Sequence, residues 1–138
     1  MVGPSPPVTR GIVVGQGLDV VDIDDFSRLL SEPASNFLDR YFTNEELVAA
    51  GTDANRLQRL AGRFAVKEAV MKALGIGWGN GIAFTDVEVG VVESGAPTVL
   101  LRRKLAAMQC EREIGGWLVS ISHTRTVAVA SVIAISDH

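Results

Sequence analysis

RFAVKEAVMKALG, at residues 63–75, decides the fold because it completes the longest predicted helix of the chain. Apolar residues return every three or four positions over 55–74, which is typical of one buried helix face. That face comprises Leu57, Leu60, Ala61, Phe64 and Met71. A glycine after the last periodic residue commonly ends a helix, so we expect an end at Gly75. The closely spaced glycines of GIGWGNG, at 75–81, predict a loop after it.

Glu68 is the anomaly of this helix. At about 100° per residue it falls on the same face as Leu57, Ala61 and Phe64. A carboxylate among apolar side chains is costly unless it is paired or binds a metal ion. Lys72 lies four residues later, where an ordinary ion pair with Glu68 would form. The spacing alone leaves both interpretations open.

Basic residues of the same helix precede the glycine loop. Arg63 and Lys67 are helical neighbours on one flank, and Lys72 lies close to Glu68. Glycine-rich backbone beside lysines predicts a phosphate cradle. The alternative is a solvated helix face followed by an ordinary loop. A dinucleotide fingerprint is excluded, because the glycines here follow a helix and precede a strand.

Asp19 is the second candidate carboxylate. GIVVGQGLDVV, at 11–21, predicts a strand that opens the domain, and Asp19 follows Gly15 and Gly17. Together with Glu68 it would form a two-carboxylate oxygen site of the kind that Mg²⁺ takes, completed by water and substrate phosphates. The acids that follow suit the N-terminus of a helix: Asp22, Asp24 and Asp25.

The remaining pattern predicts helices mainly in the first half and strands mainly in the second. We expect short helices over 23–30, interrupted by Pro33, and over 35–41, then a helix from the Thr43/Glu46 capping box to Gly51. Strands are expected over 82–92, 97–102, 117–122 and 126–135, with a helix over 103–113. This segregation predicts an α+β single domain with an antiparallel sheet packed against helices.

Composition narrows the function classes. At 138 residues, with 47% hydrophobic and 21% charged residues, the chain predicts one globular domain, and a net charge of −3 argues against a nucleic-acid partner. The longest strongly apolar run, 126–136, is too short to span a bilayer. A single cysteine, Cys110, excludes an intrachain disulfide and suggests no catalytic role. We expect a flexible tail over 1–10, a domain over 11–138, no secretory signal, no membrane partner and a cytoplasmic protein.

Few other side chains suggest chemistry. His123 follows a predicted strand in ISHT, where a histidine is usually just solvated. Trp78 and Trp117 offer rings for stacking on a base, although packing fits Trp117 better.

Taken together, these motifs resemble the holo-[acyl-carrier-protein] synthases, the small 4′-phosphopantetheinyl transferases. The resemblance runs from about residue 11 to 134. It rests on the following motifs: GQGLDVVDI (15–23), RFAVKEAVMKALG (63–75), the glycine loop (75–81), LVSISHT (118–124) and, more weakly, RYFTNEEL (40–47).

The resemblance implies the 4′-phosphopantetheinyl transferase fold and a specific reaction. Such enzymes transfer 4′-phosphopantetheine from coenzyme A to a serine of apo acyl carrier protein, in support of fatty acid biosynthesis, and release adenosine 3′,5′-bisphosphate. They require Mg²⁺ and form homotrimers with active sites at subunit interfaces. The carrier is either a free protein or a domain of a larger synthase.

The resemblance also implies roles for residues. Asp19 and Glu68 bind the metal, and Lys72 joins them in catalysis. Either Glu68 or a water on Mg²⁺ oriented by Asp19 accepts the serine proton. Coenzyme A contacts are expected from the helix, the glycine loop and the SHT strand: Arg63, Lys67, Lys72, Gly75, Ser122, His123 and Thr124.

One position departs from the family pattern. The arginine that usually docks the acidic carrier, six residues after the metal aspartate, is Asp25 here. We expect docking to depend on Arg28 and Arg40, with apolar contacts from Phe26 or Leu29. The alternative is that Asp25 merely caps the helix or pairs with Arg28.

Two competing functions follow from the same residues. In a non-catalytic coenzyme A- or nucleotide-binding module, Glu68 would only pair with Lys72. A different Mg²⁺-dependent phosphotransfer or pyrophosphate-cleaving enzyme would use the same carboxylates without a carrier.

Overall fold

The computed structural model describes residues 11–32 and 36–137. Its elements follow in chain order: β1 (Val13–Asp22), α1 (Ile23–Leu30), α2 (Phe37–Tyr41), α3 (Asn44–Ala50), α4 (Arg56–Leu74), a 3₁₀ turn (Phe84–Asp86), β2 (Val87–Val91), β3 (Pro97–Leu101), α5 (Lys104–Glu111), β4 (Ile114–His123) and β5 (Val127–Ser136). This order confirms the predicted α+β fold class. The predicted tail over 1–10 and the break at Pro33 lie outside the described residues.

Helix boundaries follow from local capping. The Asp22 carboxylate accepts from the Asp25 N–H at the start of α1. Thr43 and Glu46 form the predicted capping box of α3, each side chain bonding the other residue's backbone N–H. Helix α4 ends where Gly75 takes a left-handed conformation at φ 71°, which favours glycine.

Two antiparallel sheets are present instead of one. Strands β1, β5 and β4 form a three-stranded sheet in that order, and β2 and β3 form a separate hairpin. The predicted strand over 82–92 begins only at Val87 because the 3₁₀ turn precedes it. Asp86 stabilises that turn by accepting from the Ala83 N–H and from Arg103.

Helix α4 packs on one face of the three-stranded sheet, and two glycines of β1 make the close approach possible. A Cβ at Gly17 would lie 1.8 Å from the Ala69 carbonyl oxygen of α4. A Cβ at Gly15 would lie 2.5 Å from the Ala73 carbonyl oxygen. Only residues without a side chain fit there, so the glycines fix how close α4 comes to β1.

The opposite face of this sheet carries exposed apolar side chains. Leu18 and Val20 point outward from β1 and are 56% and 61% exposed. In the strand register Val129 of β5 lies beside Val20, and Ser122 of β4 lies beside Val129. An apolar sheet face of this kind is typical of a protein–protein interface. No helix within the described residues is long and apolar enough to cross a membrane.

Candidate active site

Asp19 and Glu68 line the same open cleft, of about 400 Å³. Asp19 lies on β1 two residues after Gly17, and Glu68 lies on α4 one residue before Ala69, which contacts Gly17. The close packing of strand and helix therefore brings together two carboxylates that are 49 residues apart in the chain (68 − 19). Asp22 and Asp25 also line it, and apolar side chains complete the cleft walls: Val21, Phe26, Leu29 and Phe64.

Lys72 pairs with Asp19 and not with Glu68. Its ammonium donates to Asp19 Oδ1 at 2.9 Å and to the Leu18 carbonyl oxygen at 3.0 Å. The Lys72 side chain is 55% exposed, whereas that of Asp19 is 14% exposed. The simple interpretation of Glu68 as the i, i+4 partner of Lys72 is therefore wrong, and Lys72 is connected to the two carboxylates through its ion pair with Asp19.

The environment of Glu68 favours its protonated form. Partial burial raises the pKa of Glu68, and the nearby Asp19 carboxylate raises it further. The Trp78 indole N–H, which donates to Glu68 Oε1 at 3.2 Å, and the Lys72 charge both lower that pKa and offset part of the shift. A half-buried carboxylate facing a second carboxylate is suited to bind a cation or to accept a proton.

The donor set fits Mg²⁺ better than a metal held by protein alone. Both candidate ligands are carboxylates, the oxygen donors that Mg²⁺ prefers. Within residues 11–32 and 36–137, no three His, Cys, Asp or Glu side chains gather closely enough to hold a metal ion. Mg²⁺ commonly keeps several waters and uses one or two carboxylates plus substrate phosphates. Asp19 and Glu68, in an open cleft that Asp22 and Asp25 also line, match that pattern.

The structure contradicts the predicted coenzyme A contact from Lys67. Its side chain is fully buried, and its ammonium pairs with Glu46 Oε1 at 2.9 Å. It also donates to the carbonyl oxygens of Phe84 and Val87. Desolvation lowers the pKa of Lys67, while Glu46 opposes that shift. All three ammonium donors are used in the interior, so none is left for a ligand.

Glu46 is an unpredicted part of this buried pair. Beyond its capping role, its Oε2 accepts from the Val89 N–H at 2.8 Å. The pair therefore links α3, α4 and β2 through charge-assisted bonds. The sequence pointed to Glu46 only as a helix cap, since Lys67 is 21 residues away.

Arg63 is also mostly buried, at 9% exposure. Its Nη1 makes one long bond to the Arg59 carbonyl oxygen, at 3.4 Å. Its buried Nε has no hydrogen-bond partner among residues 11–32 and 36–137. Desolvation lowers the pKa of Arg63. Unlike Lys67, this guanidinium keeps donor capacity that a bound anion would satisfy.

The SHT residues lie away from the carboxylate cleft. His123 and Thr124 line a second cleft, of about 370 Å³, with Asn55, Gln58 and Arg125. Ser122 is exposed beside them, on the same outward face of the sheet as Val20. Within one chain, the structure therefore brings together Asp19, Glu68 and Lys72 but not the SHT residues.

The glycine loop is held by cations that sequence analysis missed. Arg112 donates to the Leu74 carbonyl oxygen at 2.7 Å, Lys104 to that of Asn80, and Arg103 to that of Gly81 at 3.0 Å. These residues lie in or next to α5, for which the sequence predicted only a helix over 103–113. Gly75 is exposed at the start of the loop and open to a ligand.

The rim beside the carboxylate cleft carries the expected docking residues. Asp25 forms an ion pair with Arg28, and both side chains are exposed. Arg40 lies over the Phe37 ring, with Cζ 5.7 Å from its centroid. The alternative role for Asp25, a pair with Arg28, is thus what the structure shows, while Asp22 provides the helix cap.

Two further predictions concern single residues. Trp117 is buried, and its indole N–H donates to Gln109 at 2.7 Å, as expected of a packing residue. Cys110 is a free, exposed thiol.

Comparison with known proteins places this geometry in context. The profile of the 4′-phosphopantetheinyl transferase superfamily matches residues 15–130. A holo-[acyl-carrier-protein] synthase of Solibacter usitatus is 35% identical over 122 residues, covering 88% of this chain and 98% of the relative.

Solved structures with this fold are similar as well. The holo-[acyl-carrier-protein] synthase of Neisseria meningitidis superposes with a TM-score of 0.80 at 29% identity, covering 89% of this chain and 98% of its own. A Bacillus anthracis holo-(acyl-carrier-protein) synthase, solved in complex with coenzyme A (3′,5′-ADP), gives a TM-score of 0.74 at 33% identity, covering 91% and 98%.

Proposed function

The chain belongs to the 4′-phosphopantetheinyl transferase superfamily, and from that premise we propose that it converts apo acyl carrier protein to its holo form. It transfers 4′-phosphopantetheine from coenzyme A to a carrier serine, in support of fatty acid biosynthesis. The observation that carries this proposal is the cleft that Asp19 and Glu68 line together, with Lys72 paired to Asp19.

The reaction exchanges a phosphoanhydride bond for a phosphate ester bond. The serine oxygen forms a bond to the β-phosphorus of coenzyme A, and the bond to the departing adenosine 3′,5′-bisphosphate breaks. Lys72, exposed and paired with Asp19, would offset negative charge on the pyrophosphate. Glu68 is the proton acceptor that its raised pKa suits, with a water oriented by Asp19 as the alternative.

Magnesium dependence is part of the proposal. Asp19 and Glu68 would hold Mg²⁺, and when bound the ion supplies charge neutralisation on the pyrophosphate. The Asp19 charge raises the pKa of Glu68, and this supports the assignment because a divalent cation relieves the repulsion between the two carboxylates.

Coenzyme A is proposed to contact two clefts. Lys72 and Gly75 serve the carboxylate cleft, whereas His123 and Thr124 line the second one and Ser122 precedes them in β4. Arg63 contributes the free donor capacity of its guanidinium. One chain keeps the Glu68 cleft and the His123 cleft separate. We therefore propose a homotrimer in which each site takes residues from two subunits, and the apolar outward face of the sheet supports it.

Carrier docking is proposed to run along α1. Phe26 and Leu29 provide apolar contact beside the cleft, and Arg28 and Arg40 provide positive charge. Asp25 neutralises Arg28 in part, so the electrostatic attraction for an acidic carrier is weaker than an arginine at position 25 would give.

The test of the function is the mass of the carrier. The protein is incubated with coenzyme A, Mg²⁺ and an apo carrier, and the carrier is weighed. A gain of one phosphopantetheine is expected. Coenzyme A binding without transfer would favour the binding module, and breakdown without carrier would favour the pyrophosphate-cleaving enzyme.

The test of shared sites is complementation between two variants. Glu68→Gln and His123→Ala are each expected to transfer poorly. Mixed trimers refolded together contain sites with both native residues and should regain activity. A monomer mass at micromolar concentration, or no regained activity, would contradict the shared site. A cytoplasmic location stays a prediction, consistent with the free thiol of Cys110.

A further inference from the structure

Trp78 connects the glycine loop to the carboxylate cleft. Its indole Nε1–H donates to Glu68 Oε1 at 3.2 Å. Its ring stacks on Phe84, with centroids 3.9 Å apart and planes 22° apart, and Phe84 stacks in turn on Phe64. Stacking therefore fixes the ring, and the fixed ring aims its single N–H at the carboxylate.

The loop that carries Trp78 is anchored on both sides of it. Arg112 bonds the Leu74 carbonyl oxygen before the loop, and Lys104 and Arg103 bond those of Asn80 and Gly81 after Trp78. A residue between such anchors has little freedom to leave its position. The indole is thus a preorganised donor and not a side chain that reaches Glu68 by chance.

Lys72 is a competing partner for Glu68, and the hydrogen bond from Trp78 keeps Glu68 away from it. The Lys72 ammonium lies close to the same cleft and is held by Asp19 at 2.9 Å. A Glu68 carboxylate free to rotate would compete with Asp19 for that ammonium. Hydrogen bonds from groups behind a metal ligand commonly fix its orientation and increase metal affinity.

We propose that Trp78 is a positioning residue, which holds the Glu68 carboxylate in the orientation that faces the cleft shared with Asp19. The inference rests on the proposed assignment of Glu68 as a metal ligand. Trp78 itself is not expected to touch the transferred group, so its effect is exerted through Glu68.

The test replaces the donor and keeps the stacked ring. Trp78→Phe is compared with wild type by calorimetric titration with Mg²⁺ alone, without substrates. We expect Mg²⁺ affinity to fall about tenfold, the effect typical of losing a partner of a metal ligand. In transfer assays the Mg²⁺ half-saturation should rise by the same factor. At saturating Mg²⁺, kcat and the coenzyme A KM should stay within about twofold of wild type.

The chain offers a matched control in Trp117. Trp117→Phe also removes an indole N–H donor, in this case the one that bonds Gln109. Neither Trp117 nor Gln109 lines the Asp19–Glu68 cleft. It should leave Mg²⁺ affinity unchanged even where it lowers thermal stability. A loss of affinity in both variants would indicate a general structural effect and would overturn the proposal.

Glu68→Gln separates this inference from the proposed function. If Glu68→Gln loses Mg²⁺ binding while folded Trp78→Phe binds like wild type, the positioning role is overturned and the metal site stands. If Glu68→Gln also binds like wild type, both are overturned.

Wild-type protein gives a second readout should Trp78→Phe fail to fold. The chain has two tryptophans and hence two indole N–H resonances. The resonance that Glu68→Gln shifts belongs to Trp78, and it should move on adding Mg²⁺ while the other stays. A Trp78 resonance that does not move would overturn the proposal.

Discussion

Replacing Lys67 by methionine should damage stability and leave coenzyme A binding intact. The substitution keeps a long apolar side chain but removes the ammonium, which leaves Glu46 buried with its charge uncompensated. Breaking a buried ion pair in this way costs about 3–5 kcal/mol. Glu46 retains the N–H groups of Thr43 and Val89, so we expect the lower end, about 3 kcal/mol.

That cost corresponds to a large fall in melting temperature. Unfolding entropy of about 2 cal/mol/K per residue gives roughly 0.3 kcal/mol/K for a chain of this length. The Lys67→Met protein should therefore melt about 10 °C below wild type. Circular dichroism on heating measures the shift, and transfer assays well below the transition measure the coenzyme A KM, which should not change.

Lys72→Met is the matched control, because it removes the same group from the same helix at an exposed site. Its ion pair with Asp19 is worth about 1 kcal/mol or less to stability, but the side chain lies at the active cleft. It should melt near wild type and transfer poorly. Adding Glu46→Gln to Lys67→Met should recover part of the lost stability. A Lys67→Met protein with native stability and a raised coenzyme A KM would refute the reasoning.

Three other outcomes are expected. Glu68→Gln should reduce transfer about a hundredfold or more. It should also raise stability by about 1 kcal/mol in thermal unfolding, because it removes a partly buried charge facing Asp19. Normal transfer would exclude Glu68 from the site. Burial alone would raise the pKa of Asp86, but Arg103 and a backbone N–H hold it below its ordinary 3.8. The Asp86 carboxylate therefore contributes stability above pH 3.8, and that contribution is lost as pH falls through the folded pKa. Asp86→Asn should be less stable than wild type at neutral pH and should converge with it in acid unfolding. A difference in stability that stays constant with pH would contradict this. Arg28→Ala should raise the carrier KM about threefold at low salt and less at high salt without affecting the coenzyme A KM; an unchanged carrier KM would indicate docking elsewhere.

Local signals in the sequence were enough to predict most of the secondary structure. The Thr43/Glu46 capping box predicts a helix start and Gly75 predicts a helix end, and the structure confirms both. The sequence predicted the pairing of strands less well than their positions. Alternation predicts a strand around Val87–Val91 but cannot state that it joins β3 in a separate hairpin, because register depends on partners distant in sequence.

The candidate site divides in the same way. Glu68 stood out because a carboxylate on an apolar helix face requires an explanation, and the structure places it with Asp19 in one cleft. Lys67 was misassigned because helical spacing cannot reveal that α3 and β2 cover that flank. Trp78 gave only a weak signal, since its partner depends on how the glycine loop folds back onto α4.

Gly17 complicates any experiment that seeks catalytic residues by loss of activity. A methyl group there would collide with the Ala69 carbonyl oxygen, so the helix would have to move away from the strand and carry Glu68 with it. Such a variant would score as inactive in a mutational scan although glycine contributes no functional group. The spacing between the two carboxylates thus depends on position 17 having no side chain. Only a structure of the variant would distinguish a displaced Glu68 from a lost functional group.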